Sequence, residues 1–122
     1  MRLMYGVGRF VVGGFFLYSG VNHLTQLDSM TDYAAAKHTP NPKFDVEASG
    51  VLMIAAGASV AFGVKPKLGA AGILAFLAMA TPIFHDFWAQ SDPEKKQTEL
   101  TQFWNNVAMM GAALALMGAE ED

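Results

Sequence analysis

The chain has 122 residues, room for one domain, and about half of them (52%) are apolar while only 16% are charged. A globular domain in water carries nearer about 25% charged residues, so a conventional water-facing surface is excluded. The net charge of −3 leaves no basic footprint for nucleic acid, and the lack of any cysteine excludes thiol redox chemistry, disulfides, iron–sulfur ligation and covalent c-type haem within the chain.

Four apolar segments follow one another, at about 3–22, 47–64, 68–87 and 103–119. A bilayer core of about 30 Å needs roughly 20 helical residues, with a lower limit near 17, and each segment reaches that limit. Residues 48–64 and 68–84 contain no Asp, Glu, Lys or Arg, so they lack the charged face that a water-exposed bundle helix turns outward. The expected fold is all-α: one domain over 1–122, an integral membrane bundle of four transmembrane helices in antiparallel up-down order.

The first segment reads as a spanning helix and not as a signal peptide. It is too long, Arg9 interrupts it, and no small-residue cleavage site follows. Arg9 lies about 9 Å into that helix. It either snorkels to the headgroups or meets the C-terminal ends of the second and fourth segments, or Glu120. The stretch DSMTDYAAAKH in the first long loop reads as a short helix capped by Asp28 or Ser29, with Met30, Tyr33 and Ala34 on one face and the Pro-rich TPNP as its end. Gly50, Gly57 and Ala61 form a small-residue stripe on the second segment, Gly69, Gly72 and Ala75 on the third, and Gly111, Ala115 and Gly118 on the fourth, as close helix packing in lipid requires. Lys65-Pro66-Lys67 is a tight turn, and Pro82 frees the carbonyl of Ala78 near the end of the third helix. Asp92 reads as an N-cap with Pro93 at the first helical position, so the fourth helix starts before its apolar part, and Trp104 and Trp88 mark the interface. The lysines of the tight turn favour cytoplasmic termini.

Up-down topology gathers the chemistry at one end. Asn22 and His23 close the first helix, Glu47 opens the second, His85, Asp86 and Trp88 close the third, and Trp104, Asn105 and Asn106 open the fourth. Each has a structural reading: Glu47 complements a helix dipole, and an Asn pair bridges helices. As a set they supply hydrogen-bonding and proton-relay groups at the lipid boundary. Asn105 and Asn106 lie about 100° apart, so one of the two faces inward. Haem b between His23 and His85 is disfavoured because both histidines lie near helix ends, and a metal set is disfavoured because adjacent His85 and Asp86 point apart.

At these residues the chain resembles the DoxX family. The resemblance is carried by Gly14 to Leu24 (GFFLYSGVNHL), Glu47 to Gly57 (EASGVLMIAAG), His85 to Trp88 (HDFW) and Phe103 to Gly111 (FWNNVAMMG). Asn105 stands where that family often has Lys. The resemblance implies a four-helix membrane protein of bacteria or archaea linked to redox systems, related to the DoxD subunit of thiosulfate:quinone oxidoreductase.

Two functions are in view. One is a quinone-interacting membrane subunit of a redox system, with Phe15, Phe16, Phe84, Phe87, Trp88 and Trp104 lining a slot and His23, Glu47, His85 and Asp86 bonding the head. The other is a non-catalytic accessory or scaffold subunit of a larger membrane complex, or a homo-oligomer, packed through its smooth Gly/Ala faces.

Overall fold

A computed structural model describes residues 2–119. The described chain is helical throughout: α1 (Arg2–Thr25), α2 (Leu27–Ala36), α3 (Pro42–Phe62), α4 (Pro66–Phe84), a single 3₁₀ turn (Phe87–Ala89) and α5 (Pro93–Gly118). α1 packs on α3, α3 on α4 and α4 on α5, while α2 lies against the start of α3. α1 and α5 have no comparable packing on each other.

The closest contact is between α1 and α3. A Cβ at Gly13 would overlap the backbone of Ala61, and one at Gly57 would overlap the backbone of Leu17. Two turns further along, a Cβ at Gly20 would sit 2.6 Å from the carbonyl oxygen of Gly50. Position 13 thus meets 57–61 and position 20 meets 50, so the two helices run antiparallel with their backbones in contact. Gly69 of α4 sits over Ala56 and Ser59 in the same way. The stripe expected on α5 is different: no atom of another element lies within 4 Å of a Cβ built at Gly111 or Gly118.

Phe16, Met53, Val60, Ile73, Leu77 and Ala113 fill the shared core, with contributions from all four long helices. Outside it, Leu3, Phe10, Val51, Phe62, Leu68 and Leu114 turn large apolar side chains outward. Apolar surface spread over every long helix suits hydrocarbon as solvent and not water.

Two stretches, Pro42–Phe62 and Pro66–Ala89, are long and apolar enough to cross a membrane. α1 and α5 are longer, at 24 and 26 residues, but α1 carries Arg2 and Arg9 and the first third of α5 is charged. Arg9 turns inward: its guanidinium lies against Gly63, the left-handed C-cap of α3 (φ 74°), and over the Tyr5 ring at 5.4 Å. A cation belongs at that helix end. Glu120, the other partner considered for Arg9, lies outside the described residues.

Local signals set the helix ends. Asp92 Oδ1 accepts from the Glu94 amide at 3.2 Å, with Pro93 opening α5. α2 starts at Leu27, before Asp28 and Ser29, so neither caps it and Asp28 falls in its first turn. α3 starts at Pro42, five residues ahead of Glu47, because Asn41-Pro42 supplies the N-cap position and a proline in the first turn. α4 ends at Phe84, two residues after Pro82, so His85, Asp86 and Trp88 lie beyond the helix and not within its last turn.

Gly57→Ala puts a methyl group against backbone that has no room to yield, with an expected cost of about 1–3 kcal/mol. Gly8→Ala and Gly111→Ala, both in open space, are expected to raise stability by about 0.5–1 kcal/mol through helix propensity alone. Thermal unfolding in detergent micelles distinguishes the two signs.

Candidate functional site

At the end of the bundle where α1 closes and α3 opens, the helices enclose a cavity of about 810 Å³. Its walls are Phe15, Phe16, Ser19, Asn22 and His23 from α1, and Val46, Ser49, Leu52 and Met53 from α3. α4 adds Phe76, Leu77, Ala80 and Phe84, and α5 adds Gln102, Asn106 and Met109. Met30, Tyr33 and Ala34, the face expected on the short helix, close it from α2. The deep wall is apolar and aromatic, and the polar groups lie toward the helix ends.

His23 is held on two sides. Its Nδ1 donates to the carbonyl of Ser19, 2.9 Å away on the preceding turn. That carbonyl can only accept, so Nδ1 is the donor of this bond and Nε2 is the ring nitrogen left for a ligand. The ring stands edge-on to Phe76 (6.3 Å). Gly50 makes room for it, since a Cβ there would lie 2.9 Å from the His23 Cβ.

Asn106 is the inward member of its pair. Its Nδ2 donates to Thr81 Oγ1 at 3.1 Å, while Asn105 is exposed. Thr81 is fully buried, and the amide supplies the partner that a buried hydroxyl requires. His85 also lines the cavity. Its Nδ1 makes no hydrogen bond and faces Glu99 Oε1 at 3.6 Å.

The remaining candidates stand apart. Glu47 is exposed on the second turn of α3. The carboxylate that reaches the cavity from α3 is Asp45, whose Oδ2 accepts from the Asn41 amide at 3.3 Å. Asp86 is bound elsewhere: Lys37 Nζ donates to its Oδ1 at 2.9 Å and Gln90 Nε2 at 3.2 Å. Trp88 and Trp104 are more than half exposed and, with Phe87 and Phe103, form a chain of edge-to-face rings on the flank of α5. That is the arrangement of an interfacial aromatic belt, outside the cavity. Of the expected slot aromatics, Phe15, Phe16 and Phe84 line the cavity and Phe87, Trp88 and Trp104 do not.

The Lys37–Asp86 pair clasps α2 across the cavity. Tyr33 reinforces it, donating to the Phe84 carbonyl at 3.1 Å and lying against the Phe84 ring. Burial and the nearby Glu99 carboxylate hold the Tyr33 phenol above its usual range. The hydrogen bond to Asp86 raises Lys37 above its ordinary 10.5. Thr81, Asp45 and Glu99 were not singled out by sequence pattern. Asn41-Pro42 was a usable signal for Asp45; the other two have none short of the packed bundle.

Among the described residues no three His, Asp or Glu side chains converge as a metal would require. The fold is a small helical bundle with a partly open, mainly apolar cavity and two helices long and apolar enough to cross a membrane. The DoxX family model matches residues 5–86, from α1 to the end of the α4 segment, and the chain belongs to the DoxX family, membrane proteins loosely associated with redox systems. No curated protein and no solved structure matches the chain.

Lys37→Met removes one arm of the clasp. Both partners are partly exposed, so the expected loss is under about 1 kcal/mol, seen as a few-fold faster protease cleavage between residues 27 and 41. Because Lys37 is raised on folding, its contribution is intact below pH 10.5 and is lost as pH climbs through the folded value. The same bond holds Asp86 below the usual carboxylate value, so protection of α2 is expected to hold at neutral pH and to fall both in strong alkali and in strong acid.

Proposed function

We propose that this chain is a four-span membrane subunit of a redox system whose cavity takes a lipophilic quinone. The observation that carries the reading is the cavity itself: about 810 Å³, apolar at depth, with a single oriented imidazole, His23, on its wall. Small-molecule sites run from about 300 to 1,000 Å³ and combine apolar walls with a few placed polar groups. The unpacked side between α1 and α5 offers a route from the bilayer for a ligand that partitions there.

In this reading α1 and α5 span together with α3 and α4. Arg9 is set against the C-terminal end of α3, and the charged start of α5 stands clear of the lipid. The termini and the Lys65–Lys67 turn are cytoplasmic, and α2 lies on the opposite face of a bacterial or archaeal membrane. His23, His85 and Asn106 replace the wider set of head-binding residues, with Glu47 and Asp86 outside it.

A second reading, an accessory subunit in a larger complex, is favoured by one observation. The Gly111–Ala115–Gly118 face of α5 has no partner in the described chain, and such a face accepts another membrane helix closely.

Photolabelling with an azidoquinone in native membranes tests the first reading. Label is expected on peptides spanning 15–23 and 76–84 and is expected to disappear with excess unlabelled quinone. Ala80→Phe, which puts a ring into the cavity, is expected to cut labelling at least tenfold. Labelling that ignores competitor or the Ala80 variant would sink the proposal.

Topology is checked separately, since the chain has no native cysteine. Asp32→Cys and Lys96→Cys are expected to react together with a membrane-impermeant maleimide from outside intact cells. Lys67→Cys is expected to react only after permeabilisation. Labelling of Asp32→Cys and Lys96→Cys from opposite sides is incompatible with four spans.

A further inference from the structure

We infer that the cavity recognises a hydrogen-bond donor, so that among quinone species it binds the reduced quinol in preference to the oxidised quinone. This rests on the quinone reading above and says which form the wall selects.

The two redox forms differ little in shape but are opposite in hydrogen bonding. A quinone head has two carbonyl oxygens and only accepts; a quinol head has two hydroxyls and donates. The wall therefore selects by which of its own atoms are still free. His23 uses its Nδ1 proton on the Ser19 carbonyl, leaving Nε2, an acceptor. Asn106 spends one of its two amide N–H groups on Thr81 and keeps the other beside its Oδ1 carbonyl, so it offers donor and acceptor alike.

The lining hydroxyls are committed in the same sense. Tyr33 donates to Phe84 O at 3.1 Å, Ser49 to Val46 O at 3.1 Å and Thr39 to Ala34 O at 3.1 Å. Each keeps lone pairs only. Asp45 adds a carboxylate, and the His85 Nδ1 faces Glu99. The amides of Asn22 and Gln102 and the hydroxyls of Tyr18 and Ser19 offer donor and acceptor alike and do not discriminate. The balance is a wall rich in acceptors and poor in free donors.

A carbonyl placed against His23 Nε2 gives up its water without replacement there, whereas a hydroxyl finds a partner. One such bond at His23 corresponds to about tenfold in affinity.

The test uses the purified full chain in nanodiscs and equilibrium dialysis of three probes under anaerobic conditions: decylubiquinone, decylubiquinol and the dimethyl ether of that quinol. The chain has no thiol for the reductant to alter. Expected is binding of the quinol about tenfold tighter than either of the other two. His23→Phe is expected to bring quinol and quinone to within about twofold of each other. The dimethyl ether keeps the shape and removes the donors, so it tests the inference even where the His23 variant fails to fold. Quinone binding as tight as quinol in the native chain, or ether binding as tight as quinol, overturns donor selection while leaving the quinone site standing. Failure of all three probes to bind overturns both.

Discussion

The bundle depends on the contact of two backbones. Gly13 and Gly20 of α1 meet Gly57 and Gly50 of α3 with no side chain between them. In hydrocarbon, helices gain nothing from hiding apolar surface from water, so association rests on van der Waals contact at close range. A glycine at each crossing point provides it. The same contact places the functional group: Gly50 leaves the volume into which the His23 Cβ fits, and Ser19, one turn back on α1, fixes the imidazole. The packing that holds α1 to α3 therefore also sets the protonation pattern of the cavity wall.

The cavity follows from what that contact does not do. α1 is bound tightly to α3, and α5 is bound to α4, but α1 and α5 do not close the ring. The space left at the helix ends is covered by α2, which uses its apolar face, Met30 and Ala34, as a wall and its polar edge, Tyr33 and Lys37, as the clasp. The clasp is weak by construction. An ion pair with about a fifth of each side chain exposed (18% and 24%) and one phenol–carbonyl bond hold α2 in place without locking it. The end of the site that faces water is thus the less stable one, and the side that faces lipid has no cover of its own.

Much of this was legible in the sequence. The four apolar segments correspond to the four long helices, the short helix and its cavity-facing residues lie where the pattern of Met30, Tyr33 and Ala34 puts them, and the Asp92-Pro93 start of α5 is local chemistry read directly. Phase was not legible. Small-residue stripes were read on the second, third and fourth segments, yet the tightest contacts also use Gly13 and Gly20 of α1 while Gly111 of α5 meets nothing. Stripe composition is a property of one helix, and contact is a property of two. The same limit explains Glu47 and Asp86. Topology places both at the same end of the bundle, but two residues of helical phase amount to about 200°, which turns Asp45 to the cavity and Glu47 away from it. Asp86 is removed by a lysine 49 residues away that no local pattern connects to it.

The redox link of the family and the chemistry of this chain meet at a definite boundary. With no cysteine the chain has no thiol to carry electrons, and its cavity offers acceptors, an imidazole with a fixed tautomer and a neighbouring His85–Glu99 pair, which are groups that hold hydroxyls and protons. Under the proposed function such a protein contributes placement, setting a donor-bearing head beside accepting side chains. Electron transfer would then fall to a partner, for which the open Gly111–Gly118 face of α5 is a surface that another membrane helix could approach closely. The quinone and accessory readings are in that sense one arrangement. Asn106 turns toward the cavity and Gly111 toward open space on the same helix, so under that proposal α5 would join ligand and partner through a single helix.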